Sequence, residues 1–246
     1  MVAKRNILIT ALLLALVVAP AVAQTSNTGG RYGGPTPNDL TGGGGILYAP
    51  SEADDAGYRA AIAGESGGPV DYWDGTAATP TLSDLAPYSC VYTWANQAYS
   101  DNVAMGDVLA DFVDAGGVVV LGAFTTYTSG NFLAGRVMTS GYSPVTGGSN
   151  HFVSSNYSGD GTTSIHDGVN AYECTFRDIL SLQGPGAQDG SYQDAEIAHA
   201  YSPTFSVVYS NGAGPVQLGC TGDWARLVAN SCAALIPVEL EGFDVE

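Results

Sequence analysis

The stretch Asp101–Phe124, DNVAMGDVLADFVDAGGVVVLGAF, restricts the folds open to this chain more than any other segment. Met105, Val108, Leu109, Phe112 and Val113 recur at i, i+3, i+4, i+7 and i+8, the apolar stripe of a helix lying on a core. Asp101 or Asn102 can accept from the first free backbone N–H groups of that helix. Gly116-Gly117 stops it, because glycine takes a left-handed turn without a Cβ clash. Val118-Val119-Val120-Leu121 then runs apolar without alternation, as a strand covered on both faces does. Helix, tight turn and buried strand make the repeating unit of an open α/β sheet.

The rest of the chain extends this unit in both directions. Gly44–Ala49 reads as a first buried strand, followed by a helix over Glu52–Ala63 with Ser51 as its cap. Pro69–Trp73 reads as a second strand, Thr81–Leu85 as one helical turn and Tyr88–Trp94 as a third strand. This alternation predicts a three-layer α/β/α sandwich around a mainly parallel, flavodoxin-like sheet. Beyond Phe124 the pattern loosens. Thr125–Gly161 reads as surface loops with one short helix, and strands are expected at Ile179–Leu182, Glu196–Tyr201, Phe205–Tyr209 and Val216–Gly219. Asp223 is expected to cap a closing helix that turns Trp224, Leu227, Val228 and Cys232 inward.

Both ends lie outside this core. Residues 1–23 have Lys4 and Arg5, then an apolar run and Ala21-Val22-Ala23, the order of an export signal; the run is too short to favour a membrane span. Export, to the cell surface, the periplasm or the medium, is therefore expected, with no membrane span after cleavage. Residues 24–43 are a glycine-rich leader, 44–235 the folded domain, and 236–246 a linker or the start of a following β-sandwich. The tail, IPVELEGFDVE, resembles the segment that opens a sandwich domain in exported bacterial surface proteins, which implies that this chain is a piece of a longer one.

Losing Lys4 and Arg5 moves the net charge from −17 to −19 and leaves five arginines and no lysine. Such a surface repels nucleic acid and anionic lipid, which need clustered cations. Cys90, Cys174, Cys220 and Cys232 allow two disulfides in any of three connectivities, or buried free thiols. No C-x-x-C or H-E-x-x-H spacing occurs; the one G-x-S-x-G, at Gly64–Gly68, reads as a helix-ending turn and not as a strand-to-helix nucleophile elbow, and the acidic loops at Asp160-Gly161 and Asp189–Asp194 do not complete a calcium pattern. The glycine run before the first strand does not lead into a helix, so it is not a phosphate loop. No cofactor is expected.

The order G-I-L-Y-A, L-x-x-L-x-x-Y, D-A-G-G-V-V-V-L-G, H-D-G-V at His166–Val169 and G-D-W-A-R-L-V-A-N-S at Gly222–Ser231 resembles the class I glutamine amidotransferase-like superfamily, and within it a secreted, non-amidotransferase branch. In the active members the fourth strand ends in L-G-I-C-x-G, whose cysteine attacks after a histidine activates it. The matching residues here are Leu121–Thr126, and Phe124 stands at the cysteine position. The resemblance therefore implies a domain without amidotransferase chemistry, acting as a binding or structural module for carbohydrate or another surface protein. A hydrolase that uses His166 or a polar rim residue is the alternative. Open α/β sheets bind ligands beyond the carboxyl ends of their strands. The candidate rim is accordingly Glu52, Asp54, Asn96, Gln97, Thr125 and Thr126, with His166 either fixing a turn or serving as base or metal ligand.

Overall fold

The structure is a computed structural model that describes residues 44–215 and 218–234. The export signal, the leader and the tail expected from the sequence lie outside the described residues, as do two residues of the strand expected at Val216–Gly219.

Strands β1 (Gly45–Tyr48), β2 (Val70–Tyr72), β3 (Tyr88–Thr93) and β4 (Val118–Leu121) pair in parallel in the order β2-β1-β3-β4. Strand β9 (Val207–Ser210) adds to β4 in parallel. Beyond it β8 (His199–Tyr201) and β7 (Ala187–Gln188) continue the sheet antiparallel. Helices α1 (Ala56–Ser66), α2 (Leu82–Leu85), α3 (Asn102–Asp114) and α4 (Trp224–Ala233) flank the sheet, α1 packing on α4 and α2 on α3. This is the expected α/β sandwich, with one edge reversed.

The opening stretch folds as its pattern requires. Asp101 accepts from the backbone N–H groups of Val103 and Ala104, so α3 starts with its first donors satisfied. Met105, Leu109 and Phe112 are buried, and all four residues of β4 are fully buried between β3 and β9. A Cβ at Gly117 would lie 2.2 Å from the Phe112 ring, so only glycine lets the chain turn under that ring.

Helix α1 begins later than expected. Ser51 does not cap it: the extended chain runs past β1, Ser51 bridges to Ala95, and its hydroxyl donates to the Gln97 carbonyl. Asp55 is the cap, accepting from the Tyr58 N–H at 2.8 Å.

The larger correction lies beyond Phe124. Thr125–Gly161 contains a short 3-10 turn at Arg136–Met138 and then a long strand, β5 (Val145–Asn156). It pairs antiparallel with β6 (Tyr172–Leu182), and with β10 (Cys220–Gly222) they form a second, three-stranded sheet. Strand β5, VTGGSNHFVSSN, is mostly exposed or half-buried, so long-range pairing holds it without an apolar alternation. The strand expected at Ile179–Leu182 is the end of β6; among the described residues the last strand is Cys220–Gly222, and Leu218 and Gly219 lie outside it.

Two disulfides close the fold. Cys90–Cys232 ties β3 to α4, and Cys174–Cys220 ties β6 to β10. Both link elements far apart in sequence, so they restrict the unfolded chain strongly.

Candidate functional site

The chain leaves β4 through Gly122 and Ala123 into a sharp turn. At its tip Phe124 has φ 68°, a left-handed conformation that a bulky residue adopts at a cost of about 1–3 kcal/mol. A buried carboxylate holds the turn in place. Asp178, on β6, accepts the backbone N–H of Phe124 at 3.0 Å and that of Thr126 at 3.3 Å. The Thr126 hydroxyl donates to it at 2.6 Å and the Tyr209 phenol at 2.5 Å, and the Asn150 amide also donates to it. Burial pushes the Asp178 carboxyl above its ordinary value, and these donors counter only part of that rise. Asn211 locks the same strand, accepting from the Asp178 N–H and donating to the Asp178 and Ile197 carbonyls.

Over this turn opens a cleft of about 220 Å³, lined by Phe124, Tyr127, Phe152 and Phe176 on its aromatic side and by Asn96, Asn131 and Asn150 on its polar side. The aromatic ring centroids lie 5.6–6.4 Å apart, Phe152 meeting Phe176 edge to face. Phe124 and Phe176 form the floor, while Phe152 is 56% exposed at the mouth. The volume is below the about 300–1,000 Å³ of drug-sized sites, so the cleft admits a group the size of one ring.

The seven rim residues expected from the sequence separate in the structure. Glu52, Asn96 and Gln97 join into one network: Glu52 accepts from both amides and from the Ala53 N–H. Burial pushes the Glu52 carboxyl up, but the Asn96 amide, the Ala53 N–H and the Gln97 amide outweigh it and hold the group below its ordinary value. Asp54 lines a neighbouring groove with Glu52 and Leu218 and is forked to Arg59 at 2.7 and 2.8 Å. Thr125 turns inward, its hydroxyl on the Gly122 carbonyl, and Thr126 serves Asp178.

His166 is not at this rim. It stacks on Tyr157, faces His199 at 5.3 Å between centroids, and has its Nε2 on the Asp189 carbonyl at 2.8 Å. Asp189 in turn accepts from Thr162 and Thr163, so the imidazole closes a loop against β7 and β8. His199 is fully buried, and burial, with His166 nearby, drives its pKa well below the ordinary value. His151, Asp194 and Glu196 gather ligand-type atoms within 4.8 Å of one another. The fully buried Arg177 supplies the charge there: it pairs with Asp194 and Glu196, each at 2.7 Å, and lies over the Tyr192 ring. That cluster is an ion-pair network.

Asn131, Asn150, Phe152, Phe176 and Asp178 had no signal in the sequence. All but Asn131 lie on β5 and β6, whose pairing brings Phe152 opposite Phe176 and Asn150 opposite Asp178.

No family model matches the chain, and no curated protein matches it. Among solved structures, a GMP synthase subunit from Thermoplasma acidophilum aligns with TM-score 0.53 at 11% identity, over 78% of this chain and 94% of that one. The fold is class I glutamine amidotransferase-like. A ThuA-like protein from Bacteroides uniformis (TM-score 0.46, 10% identity, 82% of this chain and 92% of that one) and a glutamine amidotransferase from Thermotoga maritima (TM-score 0.46, 10% identity, 69% and 75%) also align. The turn at Phe124 lies beyond the carboxyl end of β4, the central strand, on the side where open α/β sheets bind ligands.

Proposed function

We propose that this chain is a non-catalytic, amidotransferase-like domain of an exported bacterial surface protein, and that it binds carbohydrate through the Phe124 cleft. One observation carries the reading. The protein's own Asp178 carboxylate occupies the backbone N–H groups of the Phe124 turn, the turn that by sequence resemblance matches the nucleophile position and here carries a phenyl ring. Those N–H groups cannot also stabilise a developing oxyanion.

The cleft's composition supports the choice of ligand. A pyranose has an apolar face that lies on an aromatic ring and an edge of hydroxyls that hydrogen-bond to amides. Phe152 at the mouth offers the ring, and Asn96, Asn131 and Asn150 offer the amides. A hydrolase built on His166 is the weaker reading, because that imidazole is engaged with Tyr157 and Asp189 instead of the Phe124 turn.

Isothermal titration of the purified chain against a monosaccharide panel tests the proposal, alongside an ammonia-release assay with glutamine. Saturable binding of a sugar, abolished by Phe152→Ala and unaccompanied by glutamine turnover, is expected. Glutamine hydrolysis, or the absence of binding by every sugar, would overturn it.

A further inference from the structure

We infer that the ligand of the Phe124 cleft carries a protonated amine, so that its preferred sugar is an amine-bearing pyranose. This rests on the carbohydrate reading above and narrows it.

The orientation of the three amides is the first observation. Asn96 turns its NH2 group onto Glu52, Asn131 turns its NH2 onto the Asn96 backbone carbonyl, and Asn150 turns its NH2 onto Asp178. Each NH2 faces an oxygen, two of them carboxylates, so the network itself fixes which end of the amide is which. The side-chain carbonyl ends of Asn96 and Asn131 are left without a partner and lie on residues that line the cleft. Among the described residues no donor reaches any of the three, and the Asn150 Oδ1 is buried without a partner. The exposed Asn96 and Asn131 side chains can offer their carbonyls to a ligand N–H, whereas the Asn150 Oδ1 has no exposed surface.

Charge is the second observation. No basic residue lines the cleft. The four arginines of the described residues are each ion-paired elsewhere, Arg59 to Asp54, Arg136 to Asp111, Arg177 to Asp194 and Arg226 to Glu65. The sequence has no lysine outside residues 1–23. Behind Asn96 and Asn150 stand the carboxylates of Glu52 and Asp178, which polarise the amides and make their carbonyl oxygens more negative. An anionic ligand has no partner here.

The rings are the third. Phe124, Tyr127, Phe152 and Phe176 present aromatic groups to one small volume, and aromatic faces attract cations. Hydroxyls could satisfy the carbonyls, but only an ammonium uses the carbonyls, the carboxylates behind them and the rings together.

The test is titration of the full chain with D-glucosamine, D-glucose, N-acetyl-D-glucosamine and D-glucuronate below the pKa of the glucosamine amine. Glucosamine should bind roughly tenfold more tightly than glucose or the N-acetyl sugar, a margin within the range of a desolvated cation–aromatic contact. Its binding should fall as pH rises through the amine's own pKa, and glucuronate should not bind. Asn131→Lys, a change at an exposed position, should weaken glucosamine roughly tenfold with the melting temperature unchanged. Glucose or glucuronate binding as tightly as glucosamine, or glucosamine binding unaffected by Asn131→Lys, overturns this inference and leaves the carbohydrate reading standing. No binding by any sugar overturns that reading, and this inference with it.

Discussion

The Asp178 carboxylate accepts the backbone N–H of Phe124 at 3.0 Å, joining residues 54 apart and fastening the second sheet to the end of the first. It offsets the left-handed strain at Phe124 by satisfying a donor that the turn exposes. Asp178→Ala strands that N–H, the Thr126 N–H and hydroxyl, the Tyr209 phenol and the Asn150 amide in a buried site. A loss of about 3 kcal/mol in urea denaturation is expected. A loss under about 1 kcal/mol would show that the turn holds without its anchor.

The same carboxylate gives a pH signature. Burial raises its folded pKa above the unfolded value, so the folded state takes up the proton at higher pH than the unfolded chain does. Its contribution to stability is therefore full below the unfolded pKa and is lost as pH rises through the folded one. Asp178→Asn lacks this titration. The stability difference between wild type and Asp178→Asn should shift in favour of wild type as pH falls through that window. A difference that stays level or moves the other way refutes the assignment.

Two glycines in helices should respond to alanine with opposite signs. Gly64 is exposed in α1 with open space where a Cβ would stand, so Gly64→Ala should stabilise by up to about 1 kcal/mol through helix propensity. Gly106 in α3 lies under the Ala134 carbonyl, 1.6 Å from the place a Cβ would take. There the crowding, typically about 1–3 kcal/mol, outweighs the propensity gain, and Gly106→Ala should destabilise. Thermal melts of both variants check the pair, and equal signs would contradict the packing of residue 134 on α3.

The parallel core was legible in the sequence because each of its elements carries a local signal. The α3 stripe, the glycine turn and the unbroken apolar run of β4 state their burial residue by residue. The second sheet carries no such signal. Strand β5 is built of glycine, serine and asparagine, and the apolar pattern of β6 is broken by Arg177 and Asp178, both buried. Their burial depends on partners at Asp194 and Phe124 that are remote in sequence. Of the rim, sequence reasoning reached Glu52, Asn96 and Gln97 because they follow strands β1 and β3 directly. It could not reach Asn150 or Phe152, whose position is set by register against β6. His166, expected either to fix a turn or to serve as base or metal ligand, contacts Tyr157, His199 and Asp189.

The disulfides predict a large dependence on oxidation. In the chain-entropy description, closing the Cys90–Cys232 span of 142 residues contributes about 5 kcal/mol, and the Cys174–Cys220 span of 46 about 4 kcal/mol. Cys90→Ser/Cys232→Ser should therefore lose more stability than Cys174→Ser/Cys220→Ser. Alkylation of the native protein should add no label, whereas unfolding with reductant should expose all four thiols. A native protein that labels without reductant would contradict both pairings.

Placing a thiol at the turn should not create glutaminase chemistry. Phe124→Cys would place sulfur at the tip of the turn, but a thiol needs an adjacent base to become the attacking thiolate. None of the three histidines lines the cleft over Phe124. His151 is held by Glu196 at 2.7 Å, His166 by the Asp189 carbonyl, and His199 is buried against the Ala198 carbonyl. The N–H groups of residues 124 and 126 would still be bound to Asp178, leaving no donor pair for an oxyanion. Phe124→Cys should therefore show no glutamine turnover above buffer, and its thiol should react with iodoacetamide at the rate of an unactivated cysteine. Turnover in that single variant would mean that the site lacks only its nucleophile, and that the Asp178 contact yields when substrate enters.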